Sequence, residues 1–573
     1  MGRRSGSAQR FDLPSFQPLT ALRDVPMPVW GLALLFLLVS QVYSVAVPVY
    51  QGPDEPQHVD MVLSVGRLEG WAPPRQRLFS LQLRKTQRIM LHYRRARVPR
   101  AASEAFPRPR PSFDDFSDEP STRTVTHVSN HPPLYYIGVA TWATLVTGLV
   151  PALWDPAFDE VVGVLRLGSG LLLMWLPVAT FLTASRLGLA RPSAVAAATL
   201  PLAIPQLAHL GGVVNNDALL LALAGVLFVM LSFVATSDAS RRTALLVGAV
   251  GGLALLTKGF ALLLPAGVVI AYGATARRGA RLRAFGSGLL ALSAAFIVGG
   301  WWWVRNLLVE GRLQPSGGLA NFPHPAGFQP SASIWRQAFY IREIEGFWGR
   351  LGNLNVDMPD EAVAAAGSLL LVTIVAAFVM RPDSKGPGRL GLALLLVPVL
   401  FLGTLLPVRS WLTYATQSTK IRGMQGRYLF LGLPGLATVA ATGMQRLLPR
   451  SGRGRRWLPL IVLSGGIALH AVSLHQVLFT YWGTQSDNSA AKAFEALLRW
   501  APWPPALVLT LWSLTGVVLV ILLTLLVLLK EPVVKPAPPQ EPTIQPHGEQ
   551  ARSHRRRRSG RGLLSRLGAP RGH

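Results

Sequence analysis

Residues 28–58 read PVWGLALLFLLVSQVYSVAVPVYQGPDEPQH. A long apolar segment, 28–48, runs directly into Asp54 and Glu55, which Pro53 and Pro56 enclose. Acidic side chains at the edge of a lipid bilayer are costly unless they face water, a metal ion or a substrate. The stretch therefore predicts a membrane helix followed at once by polar chemistry at the membrane surface.

The composition of the whole chain agrees with a membrane protein. Half of the 573 residues are hydrophobic and the mean hydropathy is +0.35. Apolar segments of roughly 20 residues are long enough to cross a bilayer as helices. We therefore expect an all-α polytopic membrane protein. The chain has no cysteine, which excludes disulfides, thiol catalysis and cysteine-based metal sites.

The basic residues decide the predicted topology. Thirteen apolar segments lie near 28–48, 132–150, 162–186, 192–210, 217–236, 242–256, 259–275, 285–304, 363–380, 388–407, 427–446, 457–478 and 506–529. If the segment at 132–150 is an interfacial or re-entrant helix, the other twelve cross the membrane. Every compact basic loop and the basic tail then lie on the cytoplasmic side, as the positive-inside rule requires.

This topology divides the chain into three parts. Residues 1–27 form a cytoplasmic N-terminal segment, and 28–529 form the transmembrane domain, with long extracytoplasmic loops at 49–131 and 305–362. Residues 530–573, rich in proline and then arginine, are expected to be a disordered cytoplasmic tail. Because the net charge of +28 is spread over loops and tail, it does not indicate nucleic-acid binding.

Several unusual polar residues fall on the predicted outer face. Besides Asp54 and Glu55, these are Asp217 in the run Asn215-Asn216-Asp217, and the cations Lys258, Arg305 and Arg427. Simpler roles are open for each of them. The acids sit where helix caps are expected, and Arg305, which follows three tryptophans, is an ordinary interfacial anchor by sequence.

The order of these motifs resembles the GT-C superfamily of glycosyltransferases. The resemblance rests on the first-loop Asp-Glu, the HPPLYY segment, Asn-Asn-Asp-Ala-Leu-Leu, Leu-Thr-Lys-Gly and Gly-Arg-Tyr-Leu-Phe, and it spans roughly residues 28–450. The superfamily includes protein O-mannosyltransferases and aminoarabinose transferases. The run 346–356, GFWGRLGNLNV, is similar to a bacterial branch of predicted membrane proteins with little assigned biochemistry.

The resemblance implies a GT-C-like bundle and an enzyme that transfers a sugar from a polyprenyl-phosphate carrier. Asp54, with Glu55 second, would act on the acceptor hydroxyl, and direct displacement would invert the anomeric centre. Asp217 matches the second acid of the superfamily. Together with Asp54 it is a candidate ligand for Mg²⁺ or Mn²⁺. Lys258, Arg305 and Arg427 are the candidates for binding the lipid phosphate.

Four further residues are candidates for substrate contact: His58, His131, Tyr135 and Trp348. Each has a plainer role open to it. A lone histidine is more often a hydrogen-bonding residue than a metal ligand, and the aromatic residues suit an interfacial helix or the lipid headgroups.

Two other kinds of function stay open at this point. A secondary transporter would need two similar halves and charges near the bilayer midplane. A non-catalytic protein that binds lipid or glycan would keep the same shell without turnover. For the enzyme we expect multi-pass insertion in the plasma membrane and an extracytoplasmic site. The partners would be membrane lipid, the lipid-linked donor and a glycan, lipid or protein acceptor. The sequence leaves the sugar and the acceptor open.

Overall fold

The computed structural model describes residues 16–71, 74, 76–91, 110–116, 120–236, 238–277, 281–315, 317, 322–383, 386–449, 454–483 and 489–528. The predicted tail at 530–573, the first 15 residues and most of the basic insert between Arg75 and Arg110 lie outside these ranges.

The described chain is almost entirely helical, which confirms the all-α polytopic class. In chain order the α-helices are α1 (Pro18–Arg23), α2 (Met27–Ala46), α3 (Glu55–Gly66), α4 (Leu81–Leu91), α5 (Leu134–Leu149), α6 (Phe158–Leu173), α7 (Leu176–Arg186), α8 (Arg191–Thr199), α9 (Pro205–Gly211), α10 (Asp217–Ala235), α11 (Arg241–Leu255), α12 (Leu264–Arg277), α13 (Arg281–Ala295), α14 (Trp301–Glu310), α15 (Ala332–Phe339), α16 (Gly346–Trp348), α17 (Asp360–Val379), α18 (Arg389–Thr416), α19 (Leu433–Leu447), α20 (Leu458–Trp482), α21 (Ala490–Trp500) and α22 (Pro505–Val527).

Short irregular helices and two small two-stranded sheets complete the fold. The 3₁₀ turns are His127–Asn130, Pro151–Leu153, Leu200–Ala203, Gly259–Leu263, Gly426–Gly432 and Arg455–Trp457, and π-helical turns occupy Phe296–Gly300 and Tyr340–Glu345. Strand β1 (Leu78–Ser80) pairs antiparallel with β2 (Pro120–Val125), and β3 (Arg350–Leu351) pairs antiparallel with β4 (Val356–Asp357).

Nine helices among the described residues are long and apolar enough to cross a membrane, or ten if one bent pair is a single span. That pair, Arg191–Ala203 and Pro205–Gly211, turns by 68° at Ile204. Two more of the twelve predicted crossings correspond to α11 and α19, which have 15 residues each. At 1.5 Å per residue such helices are about 22 Å long, shorter than a hydrocarbon core of about 30 Å.

The segment predicted to lie at the interface is the 16-residue helix α5, which also falls below the length of a span. Its first turn is buried and its middle and end are largely exposed. The two loops predicted on the outer face are substantially structured. The first holds α3, α4 and the β1–β2 pair, and the second holds α15, a π-helical turn and the β3–β4 hairpin. The first loop provides Asp54, Glu55, His58, His127 and His131.

Candidate active site

Asp54 has a backbone conformation that separates it from an ordinary helix cap. It occupies the position before α3, but its side chain makes no capping hydrogen bond and its φ is 57°, in the left-handed region. A non-glycine residue in that region costs of the order of 1 kcal/mol and often marks a functional position. The carboxylate is 44% exposed and lies against charged groups from other parts of the chain.

Two side chains from distant segments approach the Asp54 carboxylate. His127 Nε2 lies 3.1 Å from Oδ1, and Arg427 Nη2 lies 3.8 Å from Oδ2. Burial by itself would raise the pKa of Asp54, but the hydrogen bond with His127 and the charge of Arg427 together lower it. Asp54 therefore stays ionised at neutral pH and can accept a hydrogen bond from a substrate.

Asp217 completes the set from the first turn of α10. Its Oδ1 accepts a hydrogen bond of 2.6 Å from Lys258 Nζ, and its Oδ2 lies 3.8 Å from Arg427 Nε. The Asn215 side chain, not Asp217, accepts the backbone N–H at this helix start. The structure thus brings Asp54, Asp217, Lys258 and Arg427 into one cluster, in which Arg427 bridges the two acids.

The charges of this four-residue cluster balance, yet its hydrogen bonding is incomplete. Within the described residues, Asp217 Oδ2 and the Nε and Nη1 atoms of Arg427 are buried without a hydrogen-bond partner. The Arg427 side chain is only 3% exposed. Because buried charged atoms are costly unless they are hydrogen-bonded, these atoms indicate a place for a polar ligand.

Glu55 has a different position from its neighbour. Its side chain is fully buried and forms a two-point ion pair with Arg166, at 2.8 and 2.7 Å. It also accepts hydrogen bonds from the backbone N–H groups of Gly52 and Val214. With its oxygens occupied in this way, Glu55 holds the first loop against Val214, three residues before Asp217, and so places Asp54 beside that acid.

Arg166 fixes the same loop from the other side. Its guanidinium donates to the carbonyl oxygens of Ser44, Val47 and Pro48, at 2.6, 2.8 and 3.0 Å. These carbonyls lie at the end of α2, where backbone oxygens have no partner within the helix. Arg166 therefore connects the end of α2, the first loop and α6 in one rigid junction.

His58 and His131 pack side by side next to the cluster and form what we call the histidine wall. His58 Nδ1 lies 3.0 Å from the Tyr136 hydroxyl, and the rings of His58 and His131 are parallel with centroids 6.3 Å apart. Burial lowers the pKa of His58 to about 3, so this ring is neutral at physiological pH. It is a packed hydrogen-bonding residue in this position.

The family of the chain follows from its sequence. The family model described as "Predicted membrane protein (DUF2142)" matches residues 35–435, more than half of the chain. The chain belongs to this family. No curated protein matches its sequence.

Solved structures with a similar course of the chain exist. ArnT from Cupriavidus metallidurans, crystallised with undecaprenyl phosphate, is 13% identical with a TM-score of 0.43, over 82% of this DUF2142 chain and 75% of ArnT. The oligosaccharyltransferase of Archaeoglobus fulgidus is 10% identical with a TM-score of 0.39, over 83% of this chain and 60% of that protein.

Three predicted site residues of this DUF2142 protein lie apart from the cluster. Arg305 is positioned over the ring of Trp302 and donates to Asn306. Tyr135 is buried and hydrogen-bonded to Ser169, and Trp348 is packed in the hydrophobic core beside Phe347. In the described part of the chain none of the three forms a hydrogen bond or an ion pair with Asp54 or Asp217, but Tyr135 lies near Asp217, since it is hydrogen-bonded to the backbone of Asn215.

The sequence interpretation did not name His127, and it included Tyr136 only within the HPPLYY segment, not as a candidate site residue. His127 carries the closest contact to Asp54, and Tyr136, the neighbour of Tyr135, is the residue that faces His58. A signal for His127 did exist. It lies four residues before His131, in the same predicted loop as Asp54, so the predicted topology places the two residues on the same side of the membrane.

Proposed function

We propose that this protein is a membrane glycosyltransferase that moves a sugar from a polyprenyl-phosphate carrier to an extracytoplasmic acceptor. The observation that carries the proposal is Asp54. It is an ionised, half-exposed carboxylate that caps no helix and is held in a left-handed conformation between His127 and Arg427. The ordered motifs that resemble the GT-C superfamily give the reaction type.

In this reaction Asp54 is the general base. The acceptor oxygen forms a bond to the anomeric carbon as its proton passes to the Asp54 carboxylate. On the opposite side the bond from the anomeric carbon to the phosphate oxygen breaks, and its electron pair stays on the phosphate. The single displacement inverts the anomeric centre. His127 holds Oδ1 of Asp54, which fixes the direction in which Oδ2 meets the acceptor.

Arg427 is the residue that binds the leaving phosphate in this proposal. Its Nε and Nη1 atoms have no hydrogen-bond partner in the described residues, and a guanidinium makes strong charge-assisted bonds to phosphate. Lys258, by contrast, already donates to Asp217 at 2.6 Å. We assign to Lys258 the role of positioning Asp217, and to Arg305 a place at the edge of the membrane.

A divalent metal ion does not fit the two acids as they are arranged. Arg427 lies between Asp54 and Asp217, where a shared metal ion would have to be, and Lys258 occupies the other oxygen of Asp217. In the described residues no group of three or more His, Cys, Asp or Glu side chains is arranged to hold a metal. No step of the proposed reaction is therefore routed through Mg²⁺ or Mn²⁺.

The test is transfer of radiolabelled sugar from polyprenyl-phosphate donors in membranes that contain the full chain. Asp54→Asn should reduce transfer by roughly 100-fold or more, the usual contribution of a general base. Asp114→Asn is the matched control, because Asp114 lies in the same loop with its side chain 93% exposed. Transfer that is equal in wild type and Asp54→Asn would remove Asp54 as the base. Absence of transfer from every donor would favour a transporter or a binding protein.

The outer location of the site has its own test, since the chain has no cysteine. A membrane-impermeant maleimide should label Asp114→Cys in intact cells, but Arg242→Cys, at the start of α11, only after lysis. The reverse pattern would place the candidate site on the cytoplasmic face.

A further inference from the structure

A second polar site adjoins the four-residue cluster and shares Arg427 with it. This arginine pocket is lined by Arg342, Arg350 and Arg427 and by Gln206 and Gln425. The remaining described lining residues are a glycine and a leucine, so none of them is an acid. Of the three arginines, Arg350 is paired with Asp357 and Arg427 with Asp54 and Asp217, whereas Arg342 has no ion pair among the described residues. The charge of Arg342 makes the space attractive to an anion.

The pocket is built by close contact between separate segments of the chain. Gln206 Oε1, on α9, accepts a hydrogen bond of 2.8 Å from the backbone N–H of Arg350, which fixes the β3–β4 hairpin. Gly426 lies directly against the π-helical turn, since a methyl group at Gly426 would be 2.1 Å from the Glu343 carbonyl oxygen. Arg342, within that turn, and Arg427, next to Gly426, are therefore held at one site by packed backbone.

The positive charge of the pocket is poorly compensated. Burial, and then the charges of Arg350 and Arg422, lower the pKa of Arg342, so the neighbours that act on it are themselves cations. Arg350 is paired with Asp357, at 3.0 Å, but the side chain of that acid is 51% exposed.

The acids near this pocket do not change the balance. Arg350 also acts on Glu345, whose pKa is raised to about 7 by burial and then by the nearby acids Asp357 and Asp360, so its negative charge is only partial at neutral pH. Gln425 Oε1 and two nitrogen atoms of Arg427 lack hydrogen-bond partners in the described chain. A bound anion would satisfy these nitrogen atoms and the surplus charge at once.

The amount of charge distinguishes between donors. A sugar linked through one phosphate carries one negative charge, to which the Nε and Nη1 atoms of Arg427 can donate hydrogen bonds. A sugar linked through a diphosphate carries two, and its second phosphate would need further cations beyond the charge-balanced cluster of Asp54, Asp217, Lys258 and Arg427.

We propose that the arginine pocket binds the second phosphate of a polyprenyl-diphosphate-linked donor. This inference rests on the proposed function and narrows its donor class. When the bond to the anomeric carbon breaks, the electron pair remains on the diphosphate, which gains one negative charge beside Arg427. Arg342 and Arg350 stabilise that leaving group and have no part in proton transfer to Asp54.

The experiment compares binding of a polyprenyl monophosphate and a polyprenyl diphosphate of equal chain length to the full-length protein in nanodiscs. Wild type should bind the diphosphate at least about tenfold more tightly, the effect of one charge-assisted hydrogen bond. Arg342→Gln should abolish this preference and leave monophosphate affinity unchanged. Arg336→Gln, an exposed arginine one helix earlier, is the matched control and should behave as wild type.

Equal affinity of wild type for the two lipids, or an equal loss for both in Arg342→Gln, would overturn the inference. Thermal unfolding of each variant checks that the fold is retained, and Arg350→Gln gives a second independent variant. The transfer assay separates the two proposals. Asp54-dependent transfer from a monophosphate donor without a diphosphate preference removes only the arginine pocket as a diphosphate site. If neither lipid binds and neither supports transfer, the glycosyltransferase proposal itself fails.

Discussion

Asp54 and Glu55 are neighbours in the chain, yet their environments are opposite. Glu55 is completely buried, with a two-point ion pair to Arg166 and two backbone N–H groups that occupy its oxygens. Asp54 is nearly half exposed, and of the two side chains beside its carboxylate only His127 is within hydrogen-bonding distance. The left-handed backbone at Asp54 allows the two adjacent side chains to reach different partners.

The difference teaches how to separate a structural acid from a reactive one. A carboxylate whose lone pairs are all used has nothing left to offer a substrate, whereas one with an open oxygen and a strained backbone does. Identity and sequence position are almost the same for the two residues. They differ in how many of their oxygen lone pairs already accept hydrogen bonds within the protein.

The largest change in stability is expected from breaking the buried ion pair between Glu55 and Arg166. Glu55→Ala leaves the Arg166 guanidinium buried and unpaired, which typically costs 3–5 kcal/mol. We expect a large loss of thermal stability in detergent, measured by the unfolding midpoint. Asp54→Ala should change the midpoint little. If Glu55→Ala and Asp54→Ala lower the unfolding midpoint equally, Glu55 is no more important to the fold than Asp54.

The next largest change in stability should come from Gly426, whose close backbone contact positions Arg427 beside Asp54. Gly426→Ala puts a methyl group 2.1 Å from the Glu343 carbonyl oxygen, so the backbone must move, at a cost of about 1–3 kcal/mol or more. Gly465→Ala, on the exposed face of α20 with nothing within 4 Å, is the control and should be neutral or slightly stabilising. An unfolding midpoint for Gly426→Ala equal to wild type would show that this contact is not rigid.

A pH effect should come from the histidine wall. The pKa of His58 is about 3 in the folded protein and near 6.5 when unfolded, so the unfolded chain takes up a proton first as pH falls below 6.5. Stability from this residue is therefore complete above pH 6.5 and is lost progressively towards pH 3, by about 2 kcal/mol at pH 5.

The variant His58→Gln should flatten this dependence in unfolding midpoints measured from pH 7.5 to 5. A slope identical to that of wild type would mean that water reaches the ring and that the wall beside Asp54 is not dry.

The smallest effect is the release of backbone strain. Asp54→Gly removes the side chain and suits a φ of 57°, so the protein should gain about 1 kcal/mol of stability while it loses transfer. If Asp54→Gly does not raise the unfolding midpoint, the backbone at Asp54 is not held under strain by the Glu55–Arg166 ion pair.

Much of the fold was predictable because hydrophobic length and loop charge are local properties of the sequence. They located the spans and assigned Asp54, Asp217, Lys258 and Arg427 to one face, where the structure brings them together. Local patterns are less able to distinguish a crossing from a 15-residue helix, which is why α11 and α19 were expected to be full spans.

The partners of each polar residue were not predictable from the sequence. His127 meets Asp54 across 73 positions, and Arg166 meets Glu55 across 111, so neither pairing leaves a local pattern. The roles of Glu55 and of the pocket residue Arg342 depend on which oxygen or nitrogen atoms remain unpaired after packing. That information exists only in three dimensions.

The junction at Arg166 also sets an order of events during synthesis. Glu55 leaves the ribosome 111 residues ahead of its partner, a delay of roughly 6–20 s at ordinary elongation rates. During that interval Glu55 lacks its partner Arg166 and stays in water, so the first loop cannot adopt its final packed conformation. Insertion of α6 supplies the guanidinium, and the segment that carries Asp54 is then fixed to the end of α2. The candidate site is thus assembled by a later helix than the one that begins it.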